Sequence, residues 1–205
     1  MTATMPVLCL ASASPRRQEL LCQIGVPNLV LAADIDETAR TGEEPAHYVA
    51  RVARAKGEAV WAQPAARCGL PVLAADTTVV LDGRMLGKPV TREEGVEMLL
   101  ALAGRTHEVL TAVVLLAGSV QAPSTRCRSV RSQVRFRSIS AADAGRYWES
   151  GEPRDKAGGY AVQGLGAVFV AGLTGSYSGV MGLPLFETAA LLQEAGIPVW
   201  AGAGP

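Results

Sequence analysis

The sequence predicts an α/β chain, and three observations carry that prediction. The chain opens on an apolar run of strand length, Val7 to Leu10, that passes through serines into a segment of helical spacing. Val72 to Leu81 is apolar on both sides of one acid, Asp76, the pattern of a strand covered on both faces. Strand-length and helix-length segments then go on alternating to the end of the chain. At 205 residues it fits one large domain or two small lobes, with length to spare for a core.

Composition removes several function classes. Nineteen Lys and Arg balance nineteen Asp and Glu, so the net charge is zero. That argues against a protein whose main job is to coat nucleic acid or anionic membrane, while leaving room for a local basic cleft. There is no apolar run of transmembrane length and no basic, then apolar, leader. The expectation is a soluble, cytoplasmic protein without nucleic-acid or membrane partners. Cys9, Cys22, Cys68 and Cys127 form no Cys-x-x-Cys pair, and His47 and His107 lie far from them, so reduced core thiols are expected and a zinc site is not. Two histidines and no Gly-x-Ser-x-Gly leave carboxylates, lysines and arginines to carry any chemistry.

The first turn, Leu10-Ala11-Ser12-Ala13-Ser14-Pro15-Arg16-Arg17, organises the rest. Ser14 is placed to cap a helix and Pro15 to begin it, where a missing N–H costs nothing. Leu20, Leu21 and Ile24 follow at helical spacing. Unpaired N–H groups, hydroxyls and guanidinium groups collect here, and all of them favour anions. The plainer alternative is a capped helix with two solvated arginines.

Leu29 to Ala33 reads as a second strand. It runs into Asp34-Ile35-Asp36-Glu37-Thr38, either a solvated acidic turn or a site for a hard cation. Glu44 to Trp61 reads as a helix with Pro45 in its first turn and Tyr48, Val49, Val52, Ala53 and Val60 on its apolar face. Lys56 shares that face, as a stem that snorkels or as a phosphate-binding lysine. In the strand Val72 to Leu81, an ionised Asp76 is costly unless paired or bound to metal, which favours a functional role. Asp82-Gly83 is a hairpin turn, and the chain returns through Met85-Leu86 to Gly87-Lys88-Pro89.

Thr91 caps a helix from Arg92 to Leu102, with Glu93 and Glu94 in its first turn and Gly104 at its end. His107 to Ala117 is a strand, Gly118-Ser119 a turn, and an extended stretch runs to Phe136. Arg126, Arg128, Arg131, Arg135 and Arg137 mark a solvated sheet face that discourages edge pairing, and they do not fall on one stripe. Ser140 caps a helix from Ala141 to Glu149. The segment Pro153 to Gly166, with Asp155, Lys156, Gln163 and four glycines, suits a loop that approaches a ligand closely, or else a long connector. Val168 to Ala171 is a strand. Leu183 to Ala195 closes the chain as a helix, with Pro184 in its first turn. Ala201 to Pro205 are expected to fray.

In this order the segments resemble the Maf family of nucleoside triphosphate pyrophosphatases. The matching pieces are Leu10 to Arg17, Asp36-Glu37, Ala53-Arg54-Ala55-Lys56, Ala75-Asp76-Thr77, Gly87-Lys88-Pro89, Leu102-Ala103-Gly104, Asp155-Lys156-Ala157-Gly158 and Gly182-Leu183-Pro184. The resemblance spans nearly the whole chain as a single Maf-like domain, residues 1–205. It implies a strongly twisted mixed sheet flanked by helices, two lobes and a nucleotide cleft between them, as in inosine-triphosphatase-like folds. It also implies a homodimer and hydrolysis of a nucleoside triphosphate to the monophosphate and pyrophosphate. The branch acting on 7-methyl-GTP has an aromatic residue after the Ser-Pro, Ser-Asp-Gln at the strand acid and a loop ending in Glu-Gly. Arg16, Thr77 and Gln163 stand at those positions here, which resembles the dTTP/UTP branch.

On that resemblance Ser12, Ser14, Arg16, Arg17, Lys56, Lys88 and Lys156 bind phosphate, and Arg16, Thr77 and Gln163 set base specificity. Asp76 is the catalytic carboxylate. Asp76 and Glu37 hold a divalent cation, Mg, Mn or Co. The family's association with cell-division arrest leaves a second expectation, a nucleotide-binding regulator with little turnover.

Overall fold

The structure is a computed structural model that describes residues 5–63, 69–119 and 121–200. Expectations for Cys68 and for Ala201 to Pro205 fall outside these residues. Along the chain run β1 (Leu8–Leu10), α1 (Pro15–Gln23), β2 (Asn28–Val30), α2 (Pro45–Trp61), β3 (Val72–Leu81), β4 (Arg84–Leu86), α3 (Arg92–Leu102), β5 (Thr106–Ser119), β6 (Ala122–Phe136) and α4 (Ala141–Glu149). Three 3₁₀ turns follow, at Glu152–Asp155, Ala157–Gly159 and Leu165–Phe169. The chain ends with β7 (Val170–Thr174), α5 (Tyr177–Met181) and α6 (Leu185–Glu194).

The strands form one seven-stranded mixed sheet in the order β2-β1-β3-β5-β6-β7, with β4 paired to β3. β1 lies parallel to both β2 and β3, while the β3–β4 and β6–β7 pairs are antiparallel. The fold is therefore mixed α/β, as expected. The chain divides into two compact units. One holds the N-terminal residues through Asp76, Thr111–Ser129 and Gly182 onward; the other holds Thr77–Leu110 and Val130–Met181.

In the first unit, β1 and the first half of β3 are fully buried, and Val49, Val52, Ala53 and Val60 of α2 pack their faces out of water. Each valine or leucine removed from water here contributes roughly 1.5–3 kcal/mol, enough to fix the strand that carries Asp76. Gly57 is required here: a Cβ would stand 3.4 Å from that of Ala74 and closer still to Leu116. The second unit is built on Leu99 and Leu102 of α3, Phe136 of β6, Tyr147 of α4, and Tyr160 and Phe169 of the turn region. α3 meets α4 where Gly95 lies flat against the Trp148 ring, a space that any Cβ would fill.

Local signals account for the element ends. Thr91 and Glu94 form a reciprocal capping box, and Ser140 Oγ accepts the Asp143 N–H. Asp82 (φ 49°) and Gly83 (φ 77°) both take the left-handed conformation that a two-residue hairpin demands. Elsewhere the structure corrects the expectation. Ser14 is the α1 cap residue but its hydroxyl makes no capping bond. β2 is Asn28–Val30 rather than Leu29 to Ala33, with Leu29 and Val30 half in solvent. β5 continues to Ser119, through the glycine read as its turn. Val168 lies in a 3₁₀ turn, so β7 starts two residues later. α6 begins at Leu185 with Pro184 as its cap residue, and the short helix α5 was not foreseen. Cys9 is a buried thiol, but Cys22 is exposed and Cys127 half-buried, so among the described cysteines only the first is a core thiol.

β7 pairs with β6 only over Gln133–Phe136, so Arg135 lies in the paired stretch while Arg126, Arg128 and Arg131 precede it. They are solvated and locally paired: Arg128 with Glu194 at 2.7 Å and Arg131 with Glu108 at 3.1 Å.

Candidate functional site

The first unit draws together residues that are distant in sequence. α2 presents Lys56 on its apolar row, only 9% exposed. Its Nζ donates to Asp76 Oδ1 at 2.7 Å and lies 2.9 Å from Glu37 Oε1. The lysine does not snorkel; its ammonium ends on two carboxylates. Asp76, 5% exposed in mid-β3, answers the cost of a buried charge with that contact. Burial pushes its carboxyl above the usual carboxylate range, against the pull of Lys56 and then of Arg17. A carboxylate raised in this way is a stronger base than an exposed one.

The acidic turn splits its side chains between two partners. Asp36 Oδ1 accepts the Thr38 N–H at 2.8 Å, an ordinary turn bond, whereas Glu37 reaches Lys56. Two side chains of α2 hold the Glu37 segment. The Tyr48 hydroxyl donates to the Glu37 carbonyl at 3.0 Å, and Arg51 donates to the Thr38 carbonyl at 3.2 Å while gripping Glu43 with two bonds. Burial and the negative charges of Asp76 and Glu37 push the Tyr48 hydroxyl up to about 12. Neither support was anticipated. Tyr48 shares the i+4 row of Lys56, and that spacing was the available signal.

The serine turn is tightly tied. Ser12 Oγ accepts the Ser14 N–H at 3.2 Å and an Arg17 Nη1 donor at 3.2 Å. Arg17 Nε donates to the Gly182 carbonyl at 2.8 Å. Gly182 (φ 120°) lets that carbonyl approach the guanidinium. Arg17 is a buried clamp, its pKa lowered by burial against the attraction of Asp76. Arg16 is half-buried in the first turn of the same helix.

Thr77, Lys88, Lys156 and Gln163 belong to the second unit. Thr77 follows Asp76 on β3 and is half-buried; Lys88 and Gln163 are exposed. The Gly158 N–H donates to the Gly87 carbonyl at 3.0 Å, tying the segment of Lys88 to that of Lys156. Lys156 Nζ donates to the Glu152 carbonyl and to Asp155 Oδ1, both at 2.6 Å. Glu152, also unforeseen, anchors the same loop through its side chain.

Among the described residues no group of three or more His, Cys, Asp or Glu could hold a metal ion. Asp76 and Glu37 offer a smaller set, two hard oxygen donors. That set fits magnesium or a similar cation, which takes one or two carboxylates and fills its shell with water and substrate phosphate.

A mixed α/β chain with a buried lysine–carboxylate cluster beside an arginine-bearing serine turn is suited to a phosphate-rich ligand. The chain belongs to the family described as Maf-like protein, which it matches over residues 7–195. It is 51% identical over 202 residues to a dTTP/UTP pyrophosphatase of Saccharophagus degradans, covering 97% of this chain and 93% of that one. A dTTP/UTP pyrophosphatase of Hahella chejuensis is 47% identical, with coverage of 95% and 94%. One of Nitrosomonas europaea is 51% identical, with coverage of 93% and 95%.

Proposed function

We propose that this chain is a nucleoside triphosphate pyrophosphatase that hydrolyses dTTP and UTP to the monophosphate and pyrophosphate. Near-full-length identity to enzymes of that name supports the reaction. The observation that carries the site is the buried Lys56 ammonium held between Asp76 and Glu37.

Asp76 is the general base. Its carboxylate takes a proton from a water whose oxygen bonds to the α-phosphorus. The bond from that phosphorus to the bridging oxygen breaks, and pyrophosphate leaves with the electron pair. Positioned general-base action supplies roughly 10²–10⁴-fold in rate. Lys56 orients the Asp76 carboxylate, and it shares phosphate binding with Arg16, Arg17, Lys88, Lys156 and the turn of Ser12 and Ser14. Cations fixed in a site that excludes water contribute much of the rest, because their charge needs no reorganisation as the leaving group develops. Asp76 and Glu37 hold the divalent cation, which when bound neutralises charge on the phosphate oxygens.

Thr77 and Gln163 read the pyrimidine edge, and a site that pairs such groups rejects a base that leaves them unpaired. Residues 1–205 act as one Maf-like domain, a cytoplasmic homodimer. Among the described residues no helix is long and apolar enough to cross a membrane.

The test is to incubate the protein with dTTP or UTP and a divalent cation and to identify the products. Thymidine or uridine monophosphate with pyrophosphate is expected. Orthophosphate with the nucleoside diphosphate would place the attack at the wrong phosphorus, and binding without turnover would favour a regulator.

A further inference from the structure

Glu152 stands at the start of the loop that carries Lys156 and Gln163, and its carboxylate is held by that loop and by Tyr147 of α4. Oε1 accepts from the Tyr147 hydroxyl at 2.6 Å and from the Gly166 N–H at 3.0 Å. Oε2 accepts from the Leu165 N–H at 2.8 Å. The Tyr147 hydroxyl accepts the Ala161 N–H at 3.1 Å in turn. The backbone is therefore pinned on both sides of Gln163, at Ala161 and at Leu165–Gly166, while Gln163 itself faces solvent. The glycines make the pinning possible. A Cβ on Gly164 would fall on the Glu152 carboxylate, and one on Gly166 would stand 2.6 Å from the Tyr147 hydroxyl oxygen. The Glu152 carbonyl meanwhile takes the Lys156 ammonium at 2.6 Å.

We infer that Glu152 is a positioning residue for substrate selection: through Tyr147 and the 161–166 backbone it sets Gln163, and through its own carbonyl it sets Lys156. The inference rests on the reading above, in which Gln163 meets the base and Lys156 the phosphates. Four glycines and short 3₁₀ turns give this loop little rigidity of their own. An ionised carboxylate accepting several N–H and O–H bonds supplies it, since charge-assisted bonds are the strong ones. Burial alone would raise the Glu152 carboxyl; the bonds from Tyr147, Gly166 and Leu165, with Lys156 nearby, outweigh that and hold it below the usual range.

The test is the steady-state kinetics of Glu152→Gln on dTTP and dCTP, per folded molecule, beside the wild type. The amide turns an NH₂ toward donors and removes the charge. KM for dTTP should rise about tenfold, the loss expected when a half-buried charge-assisted bond is unmade, with kcat changed far less. The dTTP-over-dCTP preference should fall. A merely structural role would lower the thermal midpoint and leave KM and the preference alone. Should Glu152→Gln not fold, Tyr147→Phe removes the shared hydroxyl and should shift the same two quantities in the same direction. Wild-type turnover with KM and preference unchanged in the variant overturns the role of Glu152 alone. A wild type with no dTTP turnover overturns the pyrophosphatase reading, and this inference with it.

Discussion

Lys56 Nζ and Asp76 Oδ1 lie 2.7 Å apart in the interior of the first unit, with Glu37 Oε1 2.9 Å from the same ammonium. The pair joins α2 to β3 across twenty positions of sequence. Replacing such a pair by apolar residues is often neutral for stability, whereas removing one partner strands the other. Its value here lies in the chemistry: the lysine aims and ionises a carboxylate that burial would otherwise tend to protonate.

Lys56→Met keeps the stem and removes the charge. Turnover of dTTP should fall, and the acid limb of the kcat/KM profile should move to higher pH. The sign follows from the causes. Burial raises the Asp76 carboxyl and Lys56 lowers it, so deleting Lys56 raises it further, and the base form is lost at a higher pH. An unmoved acid limb with normal turnover would return Lys56 to a packing role.

Specificity gives the second prediction. Thr77 and Gln163 are neutral hydrogen-bonding residues, and Arg16 follows the Ser-Pro. Hydrolysis of 7-methyl-GTP should be poor beside that of dTTP when kcat/KM is compared at the same cation concentration. A preference for the methylated purine would show that these positions do not read a pyrimidine.

Elements governed by local rules were legible in the sequence. β3 runs from Val72 to Leu81 as read, because two apolar runs flanking Asp76 and ending at Asp82-Gly83 have few other solutions. The caps at Thr91 and Ser140 are likewise local chemistry. What distance in sequence conceals is partnership. Nothing near Glu37 shows that it, rather than Asp34 or Asp36, reaches Lys56, and nothing near Arg17 indicates the Gly182 carbonyl. The strand read from Val168 to Ala171 starts two residues late for another reason: apolar residues can sit in a 3₁₀ turn half in water, and Val168 is 66% exposed. Glu152 was missed because an acid beside a proline looks like surface, although Gly164 and Gly166 signalled a close approach.

Acid sensitivity gives the third prediction. His107 Nε2 is 2.8 Å from the Tyr160 hydroxyl, and Nδ1 is buried with no hydrogen-bond partner. Burial lowers its pKa from 6.5 to about 4. Between those values the unfolded chain binds more protons than the folded one, so stability rises with pH. The contribution is complete above about 6.5 and is lost as pH falls toward 4. His107→Gln keeps a hydrogen-bonding group near Tyr160 but does not titrate. Its thermal midpoint should drop less than that of the wild type between pH 7 and pH 5. An equal drop in both proteins would show that His107 is not an acid-labile point.

The strongest prediction concerns Asp76 itself. Asp76→Asn keeps the shape of the side chain and removes both the base and an anionic oxygen donor. If Asp76 deprotonates the attacking water, turnover of dTTP should fall by at least roughly 10²-fold, the lower end for a lost general base. Stability should fall by less than the ~3–5 kcal/mol of a fully broken buried pair, because Lys56 keeps Glu37 at 2.9 Å. The two measurements separate the roles. A carboxylate that serves only to neutralise Lys56 would give the reverse pattern on amidation: a lowered thermal midpoint with near-normal activity per folded molecule. Catalysis predicts a folded protein that binds dTTP and scarcely turns it over, and added divalent cation should not restore the rate, because the missing group is the proton acceptor.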